Sequence, residues 1–131
     1  MATPFGNSAP DRHADLHGPL WTRSEKAVAR KAFDAALNQE LQELIQETKR
    51  LANQIKQASD LWELEHRLTK RRKEIDRKYD RRASHLVFAL GKLLHEGRVR
   101  EEQLAGLSEN KLKSIRSTVE ILAEPEFISR F

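Results

Sequence analysis

The 131-residue chain has no cysteine, only 5 glycines and 4 prolines, and 6% aromatic residues. Each shortage excludes something. Without thiols there is no disulfide, no cysteine nucleophile and no thiolate metal site, which suits a reducing cytoplasm. With so little glycine and proline, few places remain where a helix must break. The scarcity of aromatics leaves few platforms on which nucleic-acid bases could stack. No apolar run approaches the roughly 20 residues of a membrane span, and the N-terminal stretch lacks the continuous apolar segment of a secretory leader. A cytoplasmic location without membrane insertion is therefore expected. Phosphate-binding loops, dinucleotide fingerprints and nucleophile elbows are missing as well, and no serine and histidine fall at a triad spacing. We expect neither an enzyme nor a bound cofactor.

What the chain has is charge. Charged residues make up 34%, with 24 Lys and Arg against 20 Asp and Glu, for a net charge of +4. Apolar residues account for 38%, enough for one domain with a modest core. This composition fits an all-α, heavily solvated protein.

Residues 1–20 carry three of the prolines and show no periodicity, so a disordered N-terminal tail is expected there. His13 and His17 stand at i, i+4 within it, but no helix holds them for a metal. The rest, 21–131, reads as a single all-helical domain. Thr22-x-x-Glu25 is a capping box, and no Gly or Pro follows until Gly91. Leu37, Leu41, Leu44, Thr48, Leu51, Ile55 and Ala58 recur at steps of four and three, a heptad seam that Phe33 and Ile45 widen. A helix from Thr22 to about Gln57 would be about 54 Å long at 1.5 Å per residue. A chain this short cannot cover so long a stripe, so a homodimer built on Leu37, Leu41, Leu44, Leu51, Ile55 and Trp62 is expected.

Asp60-x-x-Glu63 reads as a second cap, opening a helix with Leu61, Leu64, Leu68, Ile75 and Tyr79 on one face. From Ala83 the chain is most apolar, and Leu86, Val87, Phe88, Leu90, Leu93 and Leu94 should be buried almost all round. Gly91 offers a close backbone approach, and Gly97 a helix stop. Short helices over Glu101–Gly106 and from Ser108 to about Leu122 follow, with Phe127, Ile128 and Phe131 available to dock. The expected architecture is an elongated stalk of long antiparallel helices, 21–80, with a small helical head, 81–131.

Two patterns could carry chemistry. Glu63-x-x-His66 matches the di-iron helix motif, but Glu40, Glu43 and Glu47 lie off the seam and no metal is expected. Arg67, Lys70, Arg71, Arg72, Lys73, Arg77, Lys78, Arg81 and Arg82 face only Glu74, Asp76 and Asp80. Phosphates would accept such a block. Its acids interleave with the cations, however, and Trp62 and Tyr79 alone could stack bases, so nucleic-acid binding is the alternative and not the preferred reading.

The stretch DLWELEHRLTKRRKEIDRKYD, followed by LLHEG and EEQLAGLSENKLKSI, resembles the fluorescence recovery protein family of cyanobacteria. The motifs are DLW-x-L, EID-x-KYD, L-x-x-EG and L-x-GL-x-x-x-K, in one register from about Trp21 to Ile115. The resemblance implies an all-helical homodimer that binds the C-terminal domain of photoactivated orange carotenoid protein and speeds its return to the resting orange form, without covalent chemistry. It places Trp62, Arg72, Asp76, Lys78 and Phe88 at partner-binding positions, Trp62 also at the dimer contact. Glu65 and His66 stand where the family usually has His-Asp, and Arg77 stands where it has Gly. Both departures touch the implied partner surface, which leaves an adaptor with another client as a further reading.

Overall fold

The computed structural model describes residues 20–124. The expected tail, the two histidines within it and the final aromatic turn lie outside the described residues. Four α-helices make up the structure: α1 (Arg23–Ala52), α2 (Ala58–Lys78), α3 (Leu86–His95) and α4 (Glu109–Ala123). Two 3-10 turns, Ala83–His85 and Glu101–Leu104, connect them, and no strand occurs among the described residues.

The capping box forms as expected. The Thr22 N–H donates to Glu25 Oε1 at 3.0 Å, and the Glu25 N–H donates to Thr22 Oγ1 at 3.1 Å. Helix α1 then runs for 30 residues, about 45 Å, and stops before the expected Gln57. Turn bonds from the Gln54 and Ile55 N–H groups to Leu51 and Ala52 reverse the chain, so Ile55 lies in the hairpin loop and not on the helix. Nor is Asp60 the next cap. Gln57 holds that position, and the Asp60 carboxylate reaches back from the first turn to accept the Lys56 N–H at 3.0 Å.

Helices α1 and α2 form an antiparallel hairpin, since Arg67 pairs with Glu47, Arg71 with Glu40 and Arg81 with Asp34. Contacts that climb one helix while descending the other require opposite directions. At its open end the hairpin holds the core. Ala29, Ala32, Phe33 and Ala36 of α1 are buried with Ile75, Tyr79, Leu86, Leu90, Leu93, Val99, Leu104 and Ile115. Alanines at this spacing let α1 approach closely, and Phe33 fills the centre, meeting Tyr79 edge to face at 5.8 Å between centroids.

Helix α3 packs on α4 through Gly91. A Cβ there would fall 2.6 Å from Thr118 Cγ2, so only glycine allows this crossing. Gly97 ends α3 with φ of 81°. The Arg98 and Gly97 N–H groups return to the Leu93 and Leu94 carbonyls, a Schellman stop. Ser108 caps α4 through the Lys111 N–H. One expectation fails on this helix pair: Phe88 is 50% exposed, so α3 is not buried all round.

Candidate partner interface

Two buried glutamates bracket the alanine stripe of α1. Glu40, 1% exposed, is the hub between three segments. It accepts from Lys78 Nζ at 2.9 and 3.2 Å, from the Tyr79 hydroxyl at 2.9 Å and from Arg71 Nη2 at 3.3 Å. Arg98 Nε, just beyond α3, stands 3.4 Å away. Burial pushes the Glu40 carboxyl up, but the bonds from Lys78, Tyr79 and Arg71 outweigh it and hold it below the carboxylate range. Burial, then the hydrogen bond to Glu40, pushes the Tyr79 phenol up, so it stays a donor.

Glu25, 5% exposed, meets Lys111, 4% exposed, at the other end. Lys111 Nζ donates to Glu25 Oε1 at 2.9 Å and lies 5.1 Å from the Trp21 ring centroid. The Ser108 N–H donates to Glu25 Oε2 at 2.9 Å. Burial raises the Glu25 pKa, but the Thr22 N–H, Lys111 and Ser108 N–H together bring it to about 2. Both glutamates were read from sequence as a cap residue and an off-seam acid. Their 3–4 spacing with Ala29, Ala32, Phe33 and Ala36 was the available signal.

The same hub corrects the reading of the basic block. Its cations are answered across the hairpin by Glu47, Glu40 and Asp34 as well as by local acids. Lys78, expected at the partner surface, is instead turned inward onto Glu40 and Glu96. Arg82 and Asp80 satisfy each other through three side-chain hydrogen bonds, which holds the Asp80 carboxyl well below its usual range.

The other sequence candidates fall in two places. Along the hairpin, Trp62 is 64% exposed and Leu61 46%, with Glu65, His66, Arg72 and Asp76 also exposed. Arg72 and Asp76 border a groove of about 480 Å³ floored by Leu37, Leu41, Leu44, Leu68 and Ile75. Leu37 and Leu44 are partly covered by the core, while Leu41 and Ile45 remain open at 39% and 43%. Leu51 and Ile55 are half-buried near the hairpin turn. The structure thus gathers Leu37, Leu41 and Leu44 with Arg72 and Asp76, whereas Leu51 and Ile55 sit nearer the turn and Phe88 lies apart on α3. Glu63 and His66 stay exposed on α2, and no cluster of three metal-ligating side chains occurs among the described residues. No described helix is long and apolar enough to cross a membrane.

This helical arrangement and its sequence have clear relatives. The family model described as photoprotection regulator fluorescence recovery protein matches residues 21–119. The chain belongs to the fluorescence recovery protein family. The fluorescence recovery protein of Synechocystis sp. is 38% identical over 97 residues, covering 74% of this chain and 89% of that protein. Among solved structures, the fluorescence recovery protein of Fremyella diplosiphon superposes with a TM-score of 0.71 at 38% identity, over 77% of this chain and 99% of that one. The Synechocystis sp. structure gives the same TM-score at 37% identity, again over 77% and 99%. The match begins at the buried Trp21 and takes in both bracketing glutamates and all four helices up to the last turns of α4.

Proposed function

We propose that this chain is a non-enzymatic, cytoplasmic regulator that binds the C-terminal domain of a photoactivated orange-carotenoid-type photoprotein and accelerates its return to the resting form, reversing photoprotective quenching. The observation that carries this reading is the family match, which runs through the hairpin and the α3–α4 pair alike. The working unit is a homodimer in which two hairpins cover each other's open leucines, forming a stalk with a head at each end. Leu37, Leu41, Leu44, Leu51, Ile55 and Trp62 lie at the dimer contact, and Trp62, Glu65, His66, Arg72, Asp76 and Phe88 at the client surface.

The physical requirement is a matter of signs. A protein that bound only the activated client would stabilise it and slow its decay. Acceleration requires tighter binding still to the transition state in which the client's separated domains meet. A dimer touching both domains also raises their effective concentration. Arg72 suits the client contact because a guanidinium fork binds a carboxylate through two bonds. Against nucleic acid stand the carboxylates that neutralise the basic block across the hairpin.

The test is to add the purified protein to photoactivated orange carotenoid protein and time the dark recovery of the orange absorbance over a range of ratios. The rate should rise with added protein and saturate. An unaltered rate at every ratio contradicts the proposal. Arg72→Lys should already lower the acceleration, because an ammonium lacks the fork. For one phosphate contact among many it would be nearly silent.

A further inference from the structure

A second recess lies away from the hairpin seam, where the end of α2 meets α3. It encloses about 550 Å³, with Arg77, Phe88 and Lys92 among its walls. All three of its carboxylates are already engaged. Glu74 is held by Arg71 at 3.3 Å, Asp80 by Arg82 at 2.7 Å, and Glu96 by Lys78 at 3.0 Å and Arg98 at 3.6 Å. Arg77 and Lys92, by contrast, have no carboxylate within 4.0 Å among the described residues. Two uncompensated cations therefore stand beside an aromatic ring that is half open to solvent.

We infer that this junction recess is a docking site for an acidic segment of a protein partner. Carboxylates of that segment would meet Arg77 and Lys92, and an apolar side chain would cover Phe88. The inference rests on the client-binding reading and gives the partner's contacting segment a chemistry. Charge complementarity selects the occupant. A continuous phosphate backbone would run past the wall's own carboxylates and be repelled, whereas a side-chain carboxylate places one negative charge at one point. The apolar ring adds what phosphate cannot use. The walls are stiff, since the Glu40 hub ties α1, the end of α2 and the segment after α3 together, so little ordering cost falls on this side of the contact.

Arg77→Glu/Lys92→Glu and Phe88→Ala variants of the full chain test this, after helicity and mass are matched to wild type. Photoactivated orange carotenoid protein is the first probe. A tenfold or greater loss of affinity in the charge reversal, with Arg77→Lys/Lys92→Arg near wild type, supports the site. Affinity within twofold of wild type in the reversal overturns it while leaving the proposed function standing. If wild type does not bind this client, the proposed function fails and a second probe decides the site. That probe is an acetylated and amidated Glu-Leu-Glu-Leu-Asp peptide titrated into nitrogen-15-labelled protein. Amide shifts at Arg77, Phe88 and Lys92 that its Gln/Asn counterpart does not cause support the site. Absence of such shifts, or shifts there from duplex DNA alone, overturns it.

Discussion

The two ends of the hairpin solve the same problem differently. At the open end α1 buries Ala29, Ala32, Phe33 and Ala36 against α2, α3 and α4, and every buried charge there has a partner. Toward the turn the leucines find only each other: Leu41, Ile45, Leu61 and Trp62 are all more than a third exposed. One end is complete within a single chain. The other leaves apolar side chains open, and in the proposed homodimer that surface is half of the contact. The client-facing candidates Arg72 and Asp76 lie on that unfinished half, so completing it also builds the surface around them.

This contrast sorts the expected effects of substitution. Phe33→Ala removes the centre of the complete end and should cost about 4 kcal/mol in denaturant unfolding, the usual range for a buried aromatic. Glu40→Gln keeps the shape but removes the buried charge that Lys78 and Arg71 share, leaving them only Glu96 and Glu74 as counterions. A loss of about 3 kcal/mol is expected, together with earlier hydrogen exchange at the α3 end than at α1. If Glu40→Gln unfolds like wild type, the hub is not what ties the three segments.

Acid should act on the same end. Because the Glu25 pKa is lowered from 4.5 to about 2 in the folded chain, its stabilisation is full above pH 4.5. That contribution is lost as pH falls toward 2, where the folded form also takes up the proton. Glu25→Gln should therefore be less stable than wild type at neutral pH, and the gap should narrow as pH falls below 4.5 and close only near pH 2. A gap that stays constant with pH would show that Glu25 acts by shape and not by charge.

The smallest effect belongs to the unfinished end. Trp62→Ala should change single-chain stability by no more than about 0.5 kcal/mol, as for an exposed site, yet raise the concentration at which the dimer dissociates. Dilution series followed by analytical ultracentrifugation separate the two.

The sequence was most readable where one residue type carries one physical meaning. Thr22 with Glu25, Ser108 and Gly97 marked helix ends correctly, while of the seam leucines Leu41 stays open and Leu37 and Leu44 pack partly on the core. It was least readable where small or charged residues form the core. The heptad beginning at Leu37 drew the stripe one position from the alanines that are buried, so Glu40 read as a solvated acid. Locally only its 3–4 spacing with the alanines sets it apart from Glu43, and the Lys78–Tyr79 pair across the hairpin is what accepts it as a buried charge. Phe88 was misplaced for a related reason, since an apolar run does not say how many sides of a ten-residue helix will be covered. The pairing of the basic block with Asp34, Glu40 and Glu47 needed the hairpin register, which the sequence left open.

The most direct test of the incomplete hairpin is the mass in solution, by light scattering at micromolar concentration, of wild type and of Leu41→Glu/Ile45→Glu. Both positions are exposed in the single chain, so the variant should keep wild-type helicity. The account predicts about twice the 15.2 kDa chain mass for wild type and the single-chain mass for the variant. Wild type at the single-chain mass, or a variant that keeps the doubled mass, would contradict it.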